Sequence, residues 1–170
     1  MLIETPPWFE RELKFGYDEE MLPLFLERLS GSPLRAEAKV KGVSDEILSK
    51  RLNGKWSIKE NIGHLAEVDV IANKRIEEIV KGVEFMSKAV FEPKDYTSWP
   101  IQDVLDLFMK NRARNLERYK SLTMKELKKQ SLHPRLKVWM SPIDLAYFDA
   151  EHDDHHLVKV NNILALLNKT

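Results

Sequence analysis

Apolar residues recur every three or four positions along four long stretches of this chain, which is the spacing of the buried face of an α-helix. The four stretches span approximately residues 21–41, 57–81, 98–121 and 141–168. Gly31 and Pro33 predict a kink in the first of them. The alternating patterns that indicate strands are nearly absent. The sequence therefore predicts an all-α protein built as a four-helix bundle.

Capping residues indicate where several helices begin. Ser57 and Glu60 match a capping box, in which each side chain satisfies a backbone N–H at the start of the helix. Ser141 has a residue type preferred at the N-cap, and the proline after it is favoured in the first turn. Two short helices are also predicted, one over residues 44–51 and one beginning at Thr123.

The connection between the second and third long helices, residues 82–98, is unusually long. Fully extended, it could span about 55 Å, whereas a helix of about 25 residues is only about 37 Å long. The connection can therefore run back along the bundle, so the two helices that it joins need not be antiparallel.

The segments outside the helices are predicted to be irregular. Proline and glycine residues break any long element in an arm over residues 1–16. Residues 131–140 are predicted to form a loop that places His133 at the surface. No internal repeat, low-complexity tract or linker divides the chain, so residues 1–170 are expected to form a single domain.

The charge balance and the lack of cysteine exclude some classes of function. The chain has 27 basic and 27 acidic residues and a formal net charge of zero, so no basic excess favours binding to nucleic acid. With no cysteine, histidines and carboxylates are the candidate metal ligands. No signal peptide and no apolar run of about 20 residues are evident, so a cytoplasmic protein without a membrane segment is expected.

Two histidines in the last predicted helix define the candidate chemistry. His152 and His156 are four residues apart and therefore lie on one helical face. Apolar residues continue that face in both directions, at Leu145, Phe148, Val160, Ile163 and Leu167. Both imidazoles are thus expected to point into the protein, where a shared metal, or hydrogen bonds to backbone or carboxylate groups, would satisfy their ring nitrogens. His155 lies off this face and is predicted at the surface.

A third histidine, His64, lies on or beside the apolar face of the second long helix. Helical bundles build metal sites from side chains on facing helices. Three neutral imidazoles that leave open positions for water fit Zn²⁺, Ni²⁺, Fe²⁺ or Mn²⁺. Glu151, Asp153 and Asp154 are expected to be either partners of these ligands or solvated charges. The His-Glu-x-x-His motif of metalloproteases is absent.

At these residues the chain resembles the DinB-like (YfiT-like) family of small metal-binding helical proteins. Residues 56–65 resemble the Trp-Ser-x-x-Glu…His-Leu opening of that family's second helix, and residues 151–157 resemble its closing His-x-x-x-His motif. The Gly-Val-Ser turn at 42–44 and the Ser-Pro-x-Asp start at 141–144 agree with the family's layout. The likeness extends from about Tyr17 to the end of the chain.

The resemblance implies an up-down-down-up bundle, a divalent metal held by His64, His152 and His156, and a homodimer. Family members of known activity are thiol-dependent transferases or isomerases, in which the metal activates a low-molecular-weight thiol such as bacillithiol or mycothiol. Many other members have no known activity. Where the family often has Gln three residues after the last ligand, this chain has Lys159.

Two functions follow as hypotheses. The first is a metal-dependent enzyme acting on a small molecule, most simply an S-transferase or a hydrolase, in which the metal lowers the pKa of a bound thiol or water. The alternative is a non-catalytic metal-binding or stress-associated bundle with a structural or vestigial site. The sequence assigns no catalytic residue in addition to the three ligands.

Overall fold

Four long helices form the core of the computed structural model, which describes residues 5–92 and 94–167. The long helices are α1 (Leu22–Val40), α3 (Ile58–Lys81), α4 (Ile101–Lys120) and α6 (Pro142–Leu167). The shorter elements are α2 (Asp45–Ser49), α5 (Met124–Leu127) and the strands β1 (Ser131–Leu132) and β2 (Trp139–Met140). The two strands pair as an antiparallel hairpin, so the prediction of a plain loop over 131–140 was wrong.

The side-chain contacts between helices establish the topology. Going along α3, residues Ala66, Asp69, Asn73 and Glu77 bond in the same order to Asn111, Arg112, Asn115 and Arg118 of α4. These two helices are therefore parallel, as the long connection between them allows. Helix α1 is likewise parallel to α6, because Arg28 bonds to Glu151 and Lys39 bonds to Asn161. Helices α3 and α6 are antiparallel, and the predicted up-down-down-up bundle is confirmed.

Side-chain caps fix the start of the two helices that carry the candidate ligands. The Ser57 hydroxyl accepts from the Glu60 N–H at 3.2 Å, and the Glu60 carboxylate accepts from the Ser57 N–H at 2.8 Å. At α6, Ser141 and Asp144 exchange the equivalent bonds. The second Asp144 oxygen accepts from the backbone N–H of Gly16 at 2.7 Å. That bond anchors the N-terminal arm to the start of α6.

The interior consists of two apolar clusters with a charged group between them. One cluster lies toward the start of α1 and α6, and the other toward their ends. Between them lies Arg112 of α4, which is 1% exposed. It donates to Asp69 of α3 at 2.8 Å, to Asp153 of α6 at 2.6 Å and to the Leu29 carbonyl of α1 at 2.7 Å. A single guanidinium therefore bonds to the other three bundle helices.

A proline explains why the Leu29 carbonyl is free to accept from Arg112. Pro33 lies inside α1 and has no N–H, so it cannot make the usual helical hydrogen bond to the carbonyl four residues earlier, which is that of Leu29. The Arg112 Nη1 takes the place of the missing donor. Helix α1 continues through this proline, and the free Leu29 carbonyl provides an acceptor for the buried ion network.

Helix α3 packs closely against the long connection at Gly63, next to His64. A Cβ at this position would lie 2.5 to 2.6 Å from ring atoms of the buried Tyr96. In α1, a Cβ on Gly31 would meet nothing nearer than Arg35 Nε at 4.0 Å. Gly31 can therefore serve as the control for a substitution at Gly63.

We expect Gly63→Ala to lower the free energy of unfolding by about 1–3 kcal/mol, because the added methyl group would overlap the ring of the buried Tyr96. Gly31→Ala should raise it by up to about 1 kcal/mol, since alanine has the better helix propensity and here meets no neighbour. Urea unfolding of both variants measures the difference. Equal effects of the two substitutions would contradict the close contact with Tyr96.

Among the described residues, no helix is long and apolar enough to cross a membrane.

Candidate metal centre and its cavity

The antiparallel packing of α3 and α6 brings the three predicted histidines together. His64 comes two turns after the start of α3 and faces the middle of α6. Its ring centroid lies 5.2 Å from that of His152 and 4.9 Å from that of His156, and the last two rings are 4.6 Å apart. One ring nitrogen from each residue lies within 4.8 Å of the other two.

Asn61 orients one of these rings. The Asn61 Oδ1 lies 2.8 Å from His156 Nδ1, while Asn61 Nδ2 donates to the Ser57 carbonyl at 2.8 Å. Because the amide oxygen can only accept, His156 Nδ1 carries the proton and His156 Nε2 keeps its lone pair. Metal-bound histidines commonly donate their second nitrogen in this way. Asn61 lies one turn before His64, so one turn of α3 supplies both a candidate ligand and the partner of another.

Burial keeps all three rings neutral, the form that binds metal. It lowers the pKa of His64 to about 4, with Lys159 adding a smaller effect. Burial also lowers the pKa of His152 and of His156 well below the usual range, helped in each case by the neighbouring imidazoles. The buried Nδ1 of His152 has no hydrogen-bond partner among the described residues. Burying a nitrogen that has no hydrogen-bond partner costs free energy. Coordination to a metal would supply the missing partner.

The three imidazoles fit a divalent transition metal in donor type and protonation state. Two nitrogens bound to one Zn²⁺ at about 2.1 Å are at most about 4.2 Å apart. The separation of up to 4.8 Å therefore requires only a small rotation of the rings. That these histidines bind a metal remains a prediction, but the structure places them as such a site requires.

Three acidic residues near the candidate ligands of α6 bond to arginines. Glu151 bonds to Arg11 of the arm and to Arg28 of α1, which also bonds to Asp154. Asp153 is buried and holds Arg112. Within the described residues, none of the three carboxylates bonds to a candidate ligand. Their contribution is to attach α6 to the helices and the arm around it.

His155 is buried, with 5% of its surface exposed, so its predicted surface position was wrong. The N-terminal arm is the reason. The indole ring of Trp8 lies 5.6 Å from the His155 ring and 5.0 Å from the His152 ring. Arg11 fixes this part of the arm through its ion pair with Glu151. The arm therefore covers a side of α6 that would otherwise face solvent.

A cavity of about 600 Å³ lies beside the candidate metal centre. His64 and His152 form part of its wall. Most of the remaining wall is apolar and comes from the arm, α3, the long connection and α6: Trp8, Phe9, Val68, Ile71, Phe91 and Phe148. This volume is within the range of small-molecule sites.

His133 also lines this cavity, and it is 3% exposed rather than at the surface as predicted. The β1–β2 hairpin turns it inward. Its ring packs 5.4 Å from that of Phe148, and its Nδ1 accepts from the backbone N–H groups of Arg135 at 3.3 Å and Leu136 at 3.1 Å. Burial, with smaller effects from Arg75 and Lys137, lowers the pKa of His133 to about 4. The ring is therefore neutral, with its hydrogen on Nε2.

A second cavity, of about 500 Å³, lies on the other side of Phe91. His64 and Phe91 line both cavities. Trp56 lines the second and packs against two of the candidate ligands, with its ring 4.8 Å from that of His64 and 5.9 Å from that of His156. The candidate metal centre is thus bordered by open space on two sides.

Comparisons with known proteins agree with this fold. The family model of the DinB superfamily matches residues 28–158, and no curated protein matches the chain significantly. Among solved structures, YfiT from Bacillus subtilis superimposes with a TM-score of 0.81 at 16% sequence identity, covering 93% of this chain and 94% of YfiT. YfiT is described as a probable metal-dependent hydrolase with an unusual four-helix bundle topology.

Proposed function

This chain belongs to the DinB superfamily, and from its three convergent imidazoles we propose that it is a divalent-metal-dependent enzyme acting on a small molecule. The observation that carries the proposal is that the cluster of His64, His152 and His156 borders a cavity of about 600 Å³ through its first two members. A purely structural metal site would usually close its coordination shell with a fourth protein ligand. Three ligands beside a cavity leave space for a reactant.

The residues of this chain orient the cluster and form its walls. Asn61 holds the His156 ring so that Nε2 faces away from the hydrogen bond. Trp8 packs against His152 and Trp56 packs against His64. A divalent metal held there would act as a Lewis acid and lower the pKa of a bound water or thiol.

A more specific version of the proposal is that the enzyme transfers a chemical group to or from a thiol. Its support is the pair of cavities that share His64 and Phe91, because a transferase must bring two reactants to one centre. A low-molecular-weight thiol in one cavity and an electrophile in the other would both border His64. A hydrolase requires only one cavity, with water as the second reactant, and YfiT is described as a probable metal-dependent hydrolase.

Metal removal separates an enzyme from a bundle with a structural site. We expect the chelator-treated protein to lose its activity and keep its helical circular-dichroism spectrum. Removing a bound metal that was present at about 100 times its Kd lowers the free energy of unfolding by only about 2.7 kcal/mol. The melting temperature should therefore fall by roughly 5–10 °C in a chain of this size.

The assay uses the untagged protein with one transition metal at a time. Glutathione or cysteine with 1-chloro-2,4-dinitrobenzene tests transfer, and a panel of aryl esters tests hydrolysis. Activity that disappears on chelation and returns with the metal supports the proposal. Unfolding on chelation, with no activity in any metal form, would support the structural alternative instead.

A further inference from the structure

The end of the 600 Å³ cavity near Asp149 contains polar groups that the proposed metal chemistry does not use. Arg75 of α3, His133 of the hairpin and Asp149 of α6 all line it. Their exposed fractions are 7%, 3% and 4%, so all three are buried. Each has a buried polar atom without a hydrogen-bond partner among the described residues: Arg75 Nε, His133 Nε2 and Asp149 Oδ2.

Two of these atoms are hydrogen-bond donors. Arg75 Nε–H is always a donor. His133 Nε2 carries the hydrogen because its Nδ1 accepts from two backbone N–H groups. Among the described residues, the Arg75 guanidinium donates one long hydrogen bond, from Nη2 to the Ser87 carbonyl at 3.4 Å. Unpartnered buried donors, one of them on a cation, are costly, so their presence in one cavity points to a missing acceptor.

The charges around the cavity favour an anion. Three cationic side chains line it, namely the buried Arg75 and the exposed Lys88 and Arg135, against the single carboxyl group of Asp149. Arg75 and Asp149 form no ion pair within 4.0 Å among the described residues. Burial raises the pKa of Asp149 well above its usual range, aided by Asp69 and only partly opposed by Arg75. Asp149 is therefore a poor counter-ion for Arg75.

The polar end of the cavity lies close to the candidate metal centre, which limits the kind of molecule that can bind between them. Asp149 comes three residues before His152 on α6, so the two side chains lie on the same face about one turn apart. Phe148 and Trp8, which pack at 5.2 Å between their ring centroids, border the space beside them. A ligand that spans the cavity therefore needs an acceptor at one end and a compact apolar body.

We propose that the cavity recognises a small organic carboxylate with an apolar, preferably aromatic, body, and that Arg75 and His133 bind the carboxylate. Both nitrogens are closed off from water in the structure, so binding requires the two side chains to shift toward the carboxylate. This specificity rests on the proposed function, because it places the body of the ligand beside His64 and His152.

The probe pair is 3-phenylpropanoate and 3-phenylpropanamide, which have nearly the same shape and differ in charge. Isothermal titration calorimetry is carried out on metal-loaded and on chelator-treated protein. We expect the carboxylate to bind at least roughly tenfold more tightly than the amide, since hydrogen bonds to a charged acceptor are about twice as strong as neutral ones. The preference should persist without metal, because Arg75 rather than the metal binds the carboxylate.

Arg75→Met should remove this preference, and Lys88→Gln, at the exposed rim of the same cavity, should change it by less than about threefold because solvent screens its charge. Equal binding of the two probes to wild type, an unchanged preference in Arg75→Met, or a preference seen only with metal present would each overturn the proposal. The wild-type comparison does not depend on how the variants fold. Metal content, measured in the same samples, reports separately on the proposed function.

Discussion

Replacing His64 and His156 together with alanine is expected to reduce the bound transition metal from about one ion per chain to none. The two residues supply ligands from different helices, and the single remaining imidazole, His152, cannot compete with buffer or water. Elemental analysis of untagged protein after gel filtration measures the stoichiometry. Circular dichroism of the same samples shows whether the helices persist.

Two further variants make the result specific. His155→Ala removes a buried imidazole next to the cluster but outside it, so it should retain the metal. Asn61→Leu leaves all three candidate ligands but removes the acceptor for His156 Nδ1, so its metal affinity should fall by about 10- to 100-fold. A double variant that keeps its metal, or a His155→Ala variant that loses it, would contradict the assigned ligand set.

The long helices and the shared face of His152 and His156 could be predicted from the sequence, because both depend on local rules. Helical periodicity places His152 and His156 on one apolar face, and the capping box at Ser57 sets where α3 begins. The antiparallel approach of α3 and α6 then determines where His64 lies. The antiparallel arrangement was predicted from the family resemblance and the long connection, because periodicity alone does not give the direction of a helix.

The burial of His155 and His133 could not be predicted in this way. The apolar face of a single helix shows which side meets the bundle, but it does not show what covers the other sides. Here the arm places Trp8 over His155, and the β1–β2 hairpin turns His133 against Phe148. Both covering segments are short and irregular, so their sequences carry little periodic signal.

The buried arginines were also missed, for a related reason. Arginine is usually exposed, so Arg75 and Arg112 carry no signal of burial when each is considered alone. Arg112 becomes a core residue only because Asp69, Asp153 and the Leu29 carbonyl reach it from three other helices. The one local clue is Pro33, which leaves that carbonyl without its helical donor.

Arg112→Met is expected to lower the free energy of unfolding by about 3–5 kcal/mol, because it leaves two buried carboxylates without their counter-ion. Asp69 and Asp153 are 1% and 0% exposed, so water cannot replace the guanidinium. Burial already raises the pKa of Asp69 to about 7, and Arg112 opposes that rise. Without the arginine, the pKa of Asp69 would rise further, so folding would require this carboxylate to take up a proton or to stay buried as an unpaired charge. Urea unfolding followed by circular dichroism measures the loss.

Arg118→Met is the matched control on the same helix. Its partner Glu77 is 45% exposed at the side chain, so breaking that ion pair should cost less than about 1 kcal/mol. A triple variant, Arg112→Met with Asp69→Leu and Asp153→Leu, removes the buried charges together and should recover much of the lost stability, as replacement of a whole buried ion group often does. If Arg112→Met were as stable as Arg118→Met, the network would not be holding the four helices together. If the triple variant stayed as unstable as Arg112→Met, the cost would lie in packing around the side chain rather than in unpaired charge.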